Sequence, residues 1–427
     1  MNDVAVAGLL TLPLLLILGS GVWIGLTLSG VAWIAMELFS SRSVGDAMAV
    51  TIWGYASSWT LTALPLFVWM GDILFRTRLS QDLFKGLAPW MQALPGRLLH
   101  TNVVGCAIFA AVSGSSATTC ATIGKITLPE LKKRGYPEDM VIGTLAGAGT
   151  LGLLIPPSII MIVYGVSADV SIAKLSGIKL ALLFSGYIAF WSLRHPDQIP
   201  PADAAMSFRQ KLDASRSLIP VALLILSVLG PIYAGIGTAT EAAAVGVLGA
   251  LIISAAQGSL TWHSFRDALR GATRLYCMMA LITAGAAFLT LSMGYIGLPR
   301  HLAEWIGSLG VSKFQLIVML AAFYVVLGRF LNGISMVMLT MGVIIPTITA
   351  AGIDPIWFGI FVVLVVEMAQ ITPPVGFNLF ALQGMTGRDL LHIARVTPPM
   401  FALMIVAVLI IYFVPGIVTW LPQHMTT

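Results

Sequence analysis

Two short polar runs interrupt otherwise apolar stretches, and both carry atoms suited to holding an ion. One is Ser113-Gly114-Ser115-Ser116-Ala117-Thr118-Thr119; the other is Leu331-Asn332-Gly333-Ile334-Ser335. Hydroxyl and amide oxygens are neutral hard ligands, and glycine lets a backbone curl around a small guest. Each run is followed by a stretch broken at a proline pair, Pro156-Pro157 and Pro373-Pro374. Proline lacks an N–H and clashes with the carbonyl four residues back, so each pair frees carbonyl oxygens. In hydrocarbon a freed carbonyl needs a partner, and a monovalent cation supplies one without a carboxylate cage. Gly147, Gly149, Thr150 and Gly152 lead into the first pair, and Glu367, Gln370 and Thr372 into the second. Helix N-termini at such breaks face anionic groups.

Packing is the competing reading, since Gly and Ser permit close helix approach and Pro kinks a helix. Four motifs at related positions favour binding over packing. Glu367 falls within the membrane by count, where an ionisable side chain is a functional candidate. Glu241, in Thr238-Ala239-Thr240-Glu241, reads instead as the third residue of a capping box. Arg329 has two readings, an anchor for a carboxylate or a side chain snorkelling outward.

Other chemistry finds no support. Cys106, Cys120 and Cys277 lie in apolar stretches without CxxC spacing, and the six histidines stand at or near segment ends. Gly124-Lys125 has Thr119 where a Walker A loop needs its first glycine. A serine enzyme built on Ser113 or Ser115 needs a His or Lys at depth, and neither half supplies one. A channel needs a ring of charges or carbonyls repeated by symmetry, which is absent.

The elements that must position these runs follow from composition. Of 427 residues, 58% are hydrophobic and 10% charged, and mean hydropathy is +0.94. A soluble domain carries about 25% charged residues, so this chain is an integral membrane protein that binds no nucleic acid. A bilayer core takes about 20 helical residues. Spans are predicted near 4–25, 27–40, 50–72, 141–168, 175–193, 218–236, 241–258, 275–295, 355–386 and 398–418. The 4–25 stretch is too long and uncharged for a cleaved signal peptide. Stretches 101–124 and 314–350 have polar centres instead, and read as re-entrant hairpins.

Lys132-Lys133-Arg134, the Arg194–Arg216 loop, and Arg266, Arg270 and Arg274 are the basic clusters, placed in the cytoplasm by the positive-inside rule. Counting crossings from them puts both termini outside. Residues 76–97 and 262–274 have amphipathic spacing, suited to the interface or to packing on protein.

The chain also repeats itself. Pro156-Pro157 and Pro373-Pro374 stand 217 residues apart, as do Pro129 and Pro346, and Gly135 and Gly352; Met70-Gly71 matches Met293-Gly294 at 223. The copies have opposite orientation, so the predicted fold is an all-α polytopic membrane protein of two inverted repeats. Each repeat holds a re-entrant hairpin and a proline-interrupted helix, the pattern of secondary transporters. The first, 1–217, comprises scaffold helices 1–75, an interfacial arm 76–97, hairpin 98–135, broken helix 141–168, span 175–193 and cytoplasmic loop 194–217. The second, 218–427, comprises scaffold helices 218–295, an outer arm 298–312, hairpin 314–350, broken helix 355–386 and final span 398–418.

The runs Ala110 to Thr118, Gly149 to Ser158, Thr240 to Ala244 and Thr372-Pro373-Pro374-Val375-Gly376 resemble the large membrane subunit of TRAP (tripartite ATP-independent periplasmic) transporters, essentially end to end. The wording around Phe330–Ser335 and Val366–Gln370 is most similar to its sialic-acid branch. The resemblance implies a sodium-driven importer of an organic anion in a bacterial inner membrane, working as an elevator. It also implies two partners, a small four-helix membrane subunit and a soluble periplasmic substrate-binding protein. By motif, sodium would lie among Ser113, Ser115, Gly149, Gly152 and Pro157, and among Gly328, Gly333, Thr372 and Val375. Ser116, Thr118, Thr150, Asn332, Ser335 and Gln370 would face the substrate. One departure is a segment near 176–179 about eight residues shorter than the family pattern.

Overall fold

The computed structural model describes residues 12–14, 16–17, 19–76, 79–168, 170, 179–203, 206–297, 301, 304, 310–329, 331–373 and 376–418. Among them all regular structure is helical. In chain order the first helices are α1 (Ile24–Phe39), α2 (Val44–Ala56), α3 (Ala63–Phe75), α4 (Leu79–Met91), α5 (His100–Ser113), α6 (Ser116–Lys133), α7 (Glu138–Gly149), α8 (Leu151–Leu154), α9 (Ile159–Ala168) and α10 (Lys179–Arg194). There follow α11 (Phe208–Ser215), α12 (Ile219–Tyr233), α13 (Ala239–Ala256), α14 (Trp262–Ile296), α15 (Lys313–Leu327), α16 (Gly333–Ala350), α17 (Pro355–Gln370), α18 (Phe377–Thr386), α19 (Leu390–Val396) and α20 (Pro398–Phe413).

Local chemistry sets many of the helix starts. Side-chain caps stand at Ser43, Ser207, Thr238, Thr261, Ser312, Asn332 and Asp354, each satisfying a backbone N–H that the first turn leaves unpaired. The capping box at Thr238 is the predicted one. Glu241 Oε2 accepts from Thr238 N at 2.7 Å, and Thr238 Oγ1 accepts from Glu241 N at 3.3 Å.

The repeat is visible element by element. Helices α6 and α16 both run 18 residues, start 217 positions apart, and carry Pro129 and Pro346 inside. Both are followed by a glycine in the left-handed region, Gly135 at φ +81° and Gly352 at +67°. Helices α7 and α17 start 217 positions apart as well. They are the enclosed centre of the molecule, buried from Met140 to Gly149 and from Trp357 to Gln370.

Each hairpin closes at its base through one hydrogen bond. Leu98 N donates to Tyr136 Oη at 3.2 Å, and Lys313 Nζ to Gly352 O at 3.0 Å. These two bases lie at opposite ends of the bundle. Helix α7 leaves the first base and, through α8, gives way to α9, whose Tyr164 Oη donates to Pro355 O at 2.5 Å beside the second base. Helix α17 starts at Pro355 and gives way to α18, after which Arg388 meets Glu138 at the first base. The two broken helices therefore run in opposite directions, and the repeats are inverted.

Around this centre, α14 packs on α1, α2 and α3, while α13 packs on α3 and α12. The α1–α14 crossing is close because both sides are small. A Cβ on Gly285 would meet Gly25 O at 2.4 Å, and Ser292 Oγ donates to Ala32 O at 3.1 Å.

Several predicted boundaries need correction. The span predicted at 50–72 is two helices, α2 and α3, bent by 58° around the Ser57–Thr62 turn. The interfacial segment at 262–274 and the span at 275–295 are one helix, α14, because nothing between Arg274 and Leu275 breaks it. At 35 residues it is about 52 Å long, more than a bilayer core requires, so its arginine-bearing turns extend past the hydrocarbon. Helix α4 packs on α5 and α11 and buries Leu83, Phe84 and Leu87, so the amphipathic 76–97 arm rests on protein. The 27–40 span starts earlier, at Ile24. Residues 4–11 of the 4–25 stretch, most of 298–312, and all of 171–178, which holds most of the shortened segment, lie outside the described residues.

Candidate functional site

Both hairpin tips are helix starts, reached by chain reversals that small residues permit. In the first, α5 ends at Gly114 with φ +60°. A Cβ there would be strained and would stand 2.7 Å from Pro157 O. Ser115 then caps α6, its Oγ accepting from Thr118 N at 3.4 Å. Gly152 is required for the same closeness, since its Cβ would lie 2.5 Å from Ser115 O and 2.7 Å from Thr119 Oγ1. Ile159 N donates to Gly114 O at 3.5 Å, tying the tip to the residues after the proline pair. Ser113 Oγ and Thr119 Oγ1 share a hydrogen bond of 2.5 Å. The structure thus brings Ser113, Ser115, Gly152 and Pro157 together. Gly149 sits three residues before Gly152, against Cys120 Cβ and Asn378 Nδ2.

The second tip repeats the design with another side chain. Asn332 Oδ1 caps α16, accepting from Ser335 N at 2.9 Å. A Cβ on Gly328 would meet Ala369 Cβ at 2.4 Å, and one on Gly333 would meet Val366 Cγ1 and Ile160 Cδ1 at 2.6 Å and Gln370 Nε2 at 3.4 Å. The hydroxyl of Thr372 donates to Ala369 O at 3.0 Å and keeps its lone pairs. Val375 lies outside the described residues. Gly328, Gly333 and the C-terminal turn of α17 therefore converge.

Where the two halves meet, the first tip bonds into the second repeat. Ser116 Oγ donates to Glu367 Oε1 at 2.5 Å. Glu367 is fully buried, and among the described residues its other oxygen has no hydrogen-bond partner; the buried Ser335 Oγ has none among them either. Of the residues predicted to face a substrate, Ser116 makes this contact, Gln370 lies against Gly333, and Asn332 and Ser335 form the second tip. Thr118 is half-buried on the first turn of α6. Thr150 turns its hydroxyl into its own helix, donating to Gly147 O at 2.6 Å. Arg329 is exposed at the second tip.

One residue escaped the sequence reading. Asn378 is fully buried with neither amide atom partnered among the described residues, and faces Gly149. Its signal was present as the lone amide in the apolar run Phe377–Leu382.

Chemically, the centre collects the N-termini of α6, α9, α16 and α18 and the C-termini of α5, α7, α8, α15 and α17. Positive helix ends suit anions, while unpaired carbonyls at C-terminal ends suit small cations. The arrangement is suited to holding ions and solutes.

Comparison with known proteins places this geometry. Residues 9–417 match the family described as tripartite ATP-independent periplasmic transporter, DctM component. The C4-dicarboxylate TRAP transporter large permease protein DctM of Rhodobacter capsulatus is 29% identical, covering 99% of both chains. The sialic acid TRAP transporter large permease protein SiaM of Vibrio cholerae is 26% identical, over 95% of this chain and 96% of that one. Among solved structures, the YdaH transporter of Alcanivorax borkumensis shares the fold at a TM-score of 0.61 and 16% identity, covering 94% of this chain and 98% of that one. The inverted hairpins, the broken helices between them and the end-to-end match have one conclusion: the chain belongs to the DctM component family of TRAP transporters, as a multi-pass membrane permease subunit and not an enzyme.

Proposed function

We propose that this subunit imports an organic acid across a bacterial inner membrane, driven by sodium. The observation that carries the reading is the pair of capped hairpin tips, Ser115 and Asn332, each closed against a broken helix by glycines that admit no side chain. Two such half-sites suit two or more sodium ions. Ser113, Ser115, Gly149, Gly152 and Pro157 would hold the first, and Gly328, Gly333 and Thr372 the second. The substrate lies between the tips, and both termini face the periplasm. The partners are a small four-helix membrane subunit and a periplasmic protein that delivers the cargo. The hairpins and broken helices move as an elevator past α1–α3 and α12–α14.

Sialic acid was the expectation from local wording, whereas identity to the C4-dicarboxylate relative is 29% against 26% for the sialic-acid one. A dicarboxylate cargo is therefore supported at least as well. The test is uptake into proteoliposomes holding both membrane subunits, with a loaded binding protein outside. Accumulation that requires an inward sodium gradient is expected. Equal uptake with potassium replacing sodium throughout would overturn the coupling.

A further inference from the structure

Lysines gather on one side of the first hairpin's base. A cleft of about 360 Å³ opens between α4 and the C-terminal half of α6, lined by Phe84 and Lys85 from the first and by Lys125, Ile126, Glu130 and Lys133 from the second. All three lysines are exposed, and none forms an ion pair among the described residues. Lys125 Nζ rests instead over the ring of Phe75, 3.8 Å from its centroid. Glu130, the carboxylate on this lining, is taken by Arg134 Nε at 3.5 Å. Three positive charges therefore stand uncancelled beside the buried Phe84 and the half-buried Ile126.

The fold also gives this cleft a depth. Ser116 meets Glu367 where the inverted repeats join, a plane that the inversion sets near mid-membrane. At 1.5 Å per residue, Lys125 lies about 13 Å and Lys133 about 25 Å along α6 from Ser116. A bilayer's hydrocarbon ends about 15 Å from its midplane and its headgroups about 20–22 Å from it. The two lysines thus bracket the layer of lipid phosphates, and any tilt of α6 draws Lys133 inward. A lysine stem lies along apolar surface while its ammonium reaches polar surroundings, so Lys125 meets the same layer.

The positive-inside rule accounts for charge at a membrane surface, but it asks for no concave site. Here the charges rim a cleft with an apolar floor, the complement of an amphiphile with an anionic head. A free phosphate ion would use the charges and leave the floor uncovered. We propose that this cleft binds an anionic phospholipid, its phosphodiester among Lys85, Lys125 and Lys133 and the start of an acyl chain along Phe84 and Ile126. Because α4 forms one wall and α6 the other, the bound lipid ties the arm to the hairpin. The proposal needs the chain's place in the bilayer and nothing of its cargo or sodium coupling.

The probes are phosphatidylglycerol, phosphatidylcholine as its zwitterionic match, and inorganic phosphate as the free anion. Protein purified with its small membrane subunit is titrated with each. Bound lipid is read by native mass spectrometry, and stability by the thermal midpoint. Each basic residue near a membrane surface is worth about a fivefold change in anionic-lipid affinity. Phosphatidylglycerol should therefore bind about tenfold or more tighter than phosphatidylcholine, and should raise the midpoint where inorganic phosphate does not. Lys85→Gln, Lys125→Gln and Lys133→Gln should each weaken phosphatidylglycerol severalfold, and the triple variant should nearly erase the preference. A second triple variant, Arg266→Gln, Arg270→Gln and Arg274→Gln, makes the same charge change on the exposed side of α14 and should keep it. The midpoint without added lipid is recorded for every variant.

Equal binding of the two lipids by the wild type would overturn the proposal. So would an equal loss in the α14 variant, which would reduce the effect to diffuse attraction. Stabilisation by inorganic phosphate as large as by phosphatidylglycerol would make the cleft a soluble-anion site instead. Sodium-dependent uptake is measured separately, so it stands or falls on its own result.

Discussion

Ser115 accepts from the N–H three residues on at 3.4 Å, and Asn332 does so at 2.9 Å. A serine and an asparagine thus occupy equivalent positions because both are strong N-caps. An alanine at either site removes about 0.5–2 kcal/mol of helix-start stabilisation and one neutral oxygen. Ser115→Ala and Asn332→Ala should each raise the sodium concentration for half-maximal uptake, with expression unaltered. Ser115→Asn and Asn332→Ser keep a cap and should lie close to wild type. Sodium titrations of uptake by the four variants check this; wild-type curves for both alanines would leave only backbone carbonyls as ligands. Arg329 belongs to the same scale. Exposed at the second tip, it can meet a cargo carboxylate, and Arg329→Gln should then raise the KM for cargo severalfold without shifting the sodium curve. An unchanged KM would assign it to the lipid boundary.

At the scale of elements, glycines mark the contacts that tolerate least. A Cβ on Gly285 would meet the Gly25 carbonyl, which is backbone and cannot yield. Gly285→Val should therefore lower the folded yield and broaden the size-exclusion profile. On Gly342 a Cβ would meet Thr290 Oγ1 at 2.3 Å, where α16 rests on α14. Thr290 Cβ itself would lie at 2.9 Å and cannot rotate away, so even Gly342→Ala must push α16 back from α14; it should fold in lower yield, retain sodium-dependent stabilisation and lose uptake. Retained uptake would argue against sliding along that seam. The bases of the repeats are joined by Arg388, whose Nε and Nη2 reach Glu138 Oε1 and Oε2 at 3.1 and 2.5 Å. Hydrogen bonding to that guanidinium holds Glu138 below the usual carboxylate range. A depressed carboxyl stabilises fully above its unfolded value, about 4.3, and loses that contribution as pH falls through the lower folded value. The pair is partly exposed, so solvent screening keeps its worth under about 1 kcal/mol. Glu138→Gln should cost a small part of the thermal stability at pH 7, and the difference should shrink as pH falls below about 4.3 and vanish beneath the lowered folded value, in melts of the detergent-solubilised protein.

For the whole molecule, the proposed sodium coupling would make charge movement measurable. One charge crossing 100 mV is worth about 2.3 kcal/mol, and a tenfold sodium gradient adds about 1.4 kcal/mol per ion. Two sodium ions carried with one monoanion bring net positive charge inward. An inside-negative potential should therefore stimulate uptake at a fixed sodium gradient. Uptake indifferent to the potential would count against two or more ions per monoanion.

The division between what sequence and structure contribute follows from the range of the forces involved. Composition settled the membrane, because 10% charged residues cannot cover a water-facing surface. The offset of 217 exposed the repeat, and local rules placed its proline breaks and the capping box at Thr238. These are short-range effects, carried by residues three or four apart. Boundaries set by continuity were less legible: 50–72 reads as one apolar stretch although it bends by 58°, and no breaker separates Arg274 from the span that follows. Three matters were decided by tertiary structure alone. Glu367 accepts from Ser116, 251 positions away; Asn378 faces Gly149 with its amide unpartnered; and α4 lies on protein. No local pattern encodes these, because they depend on which surfaces the two inverted halves bring face to face at the centre, where every polar atom must find its partner across the repeat or in the cargo.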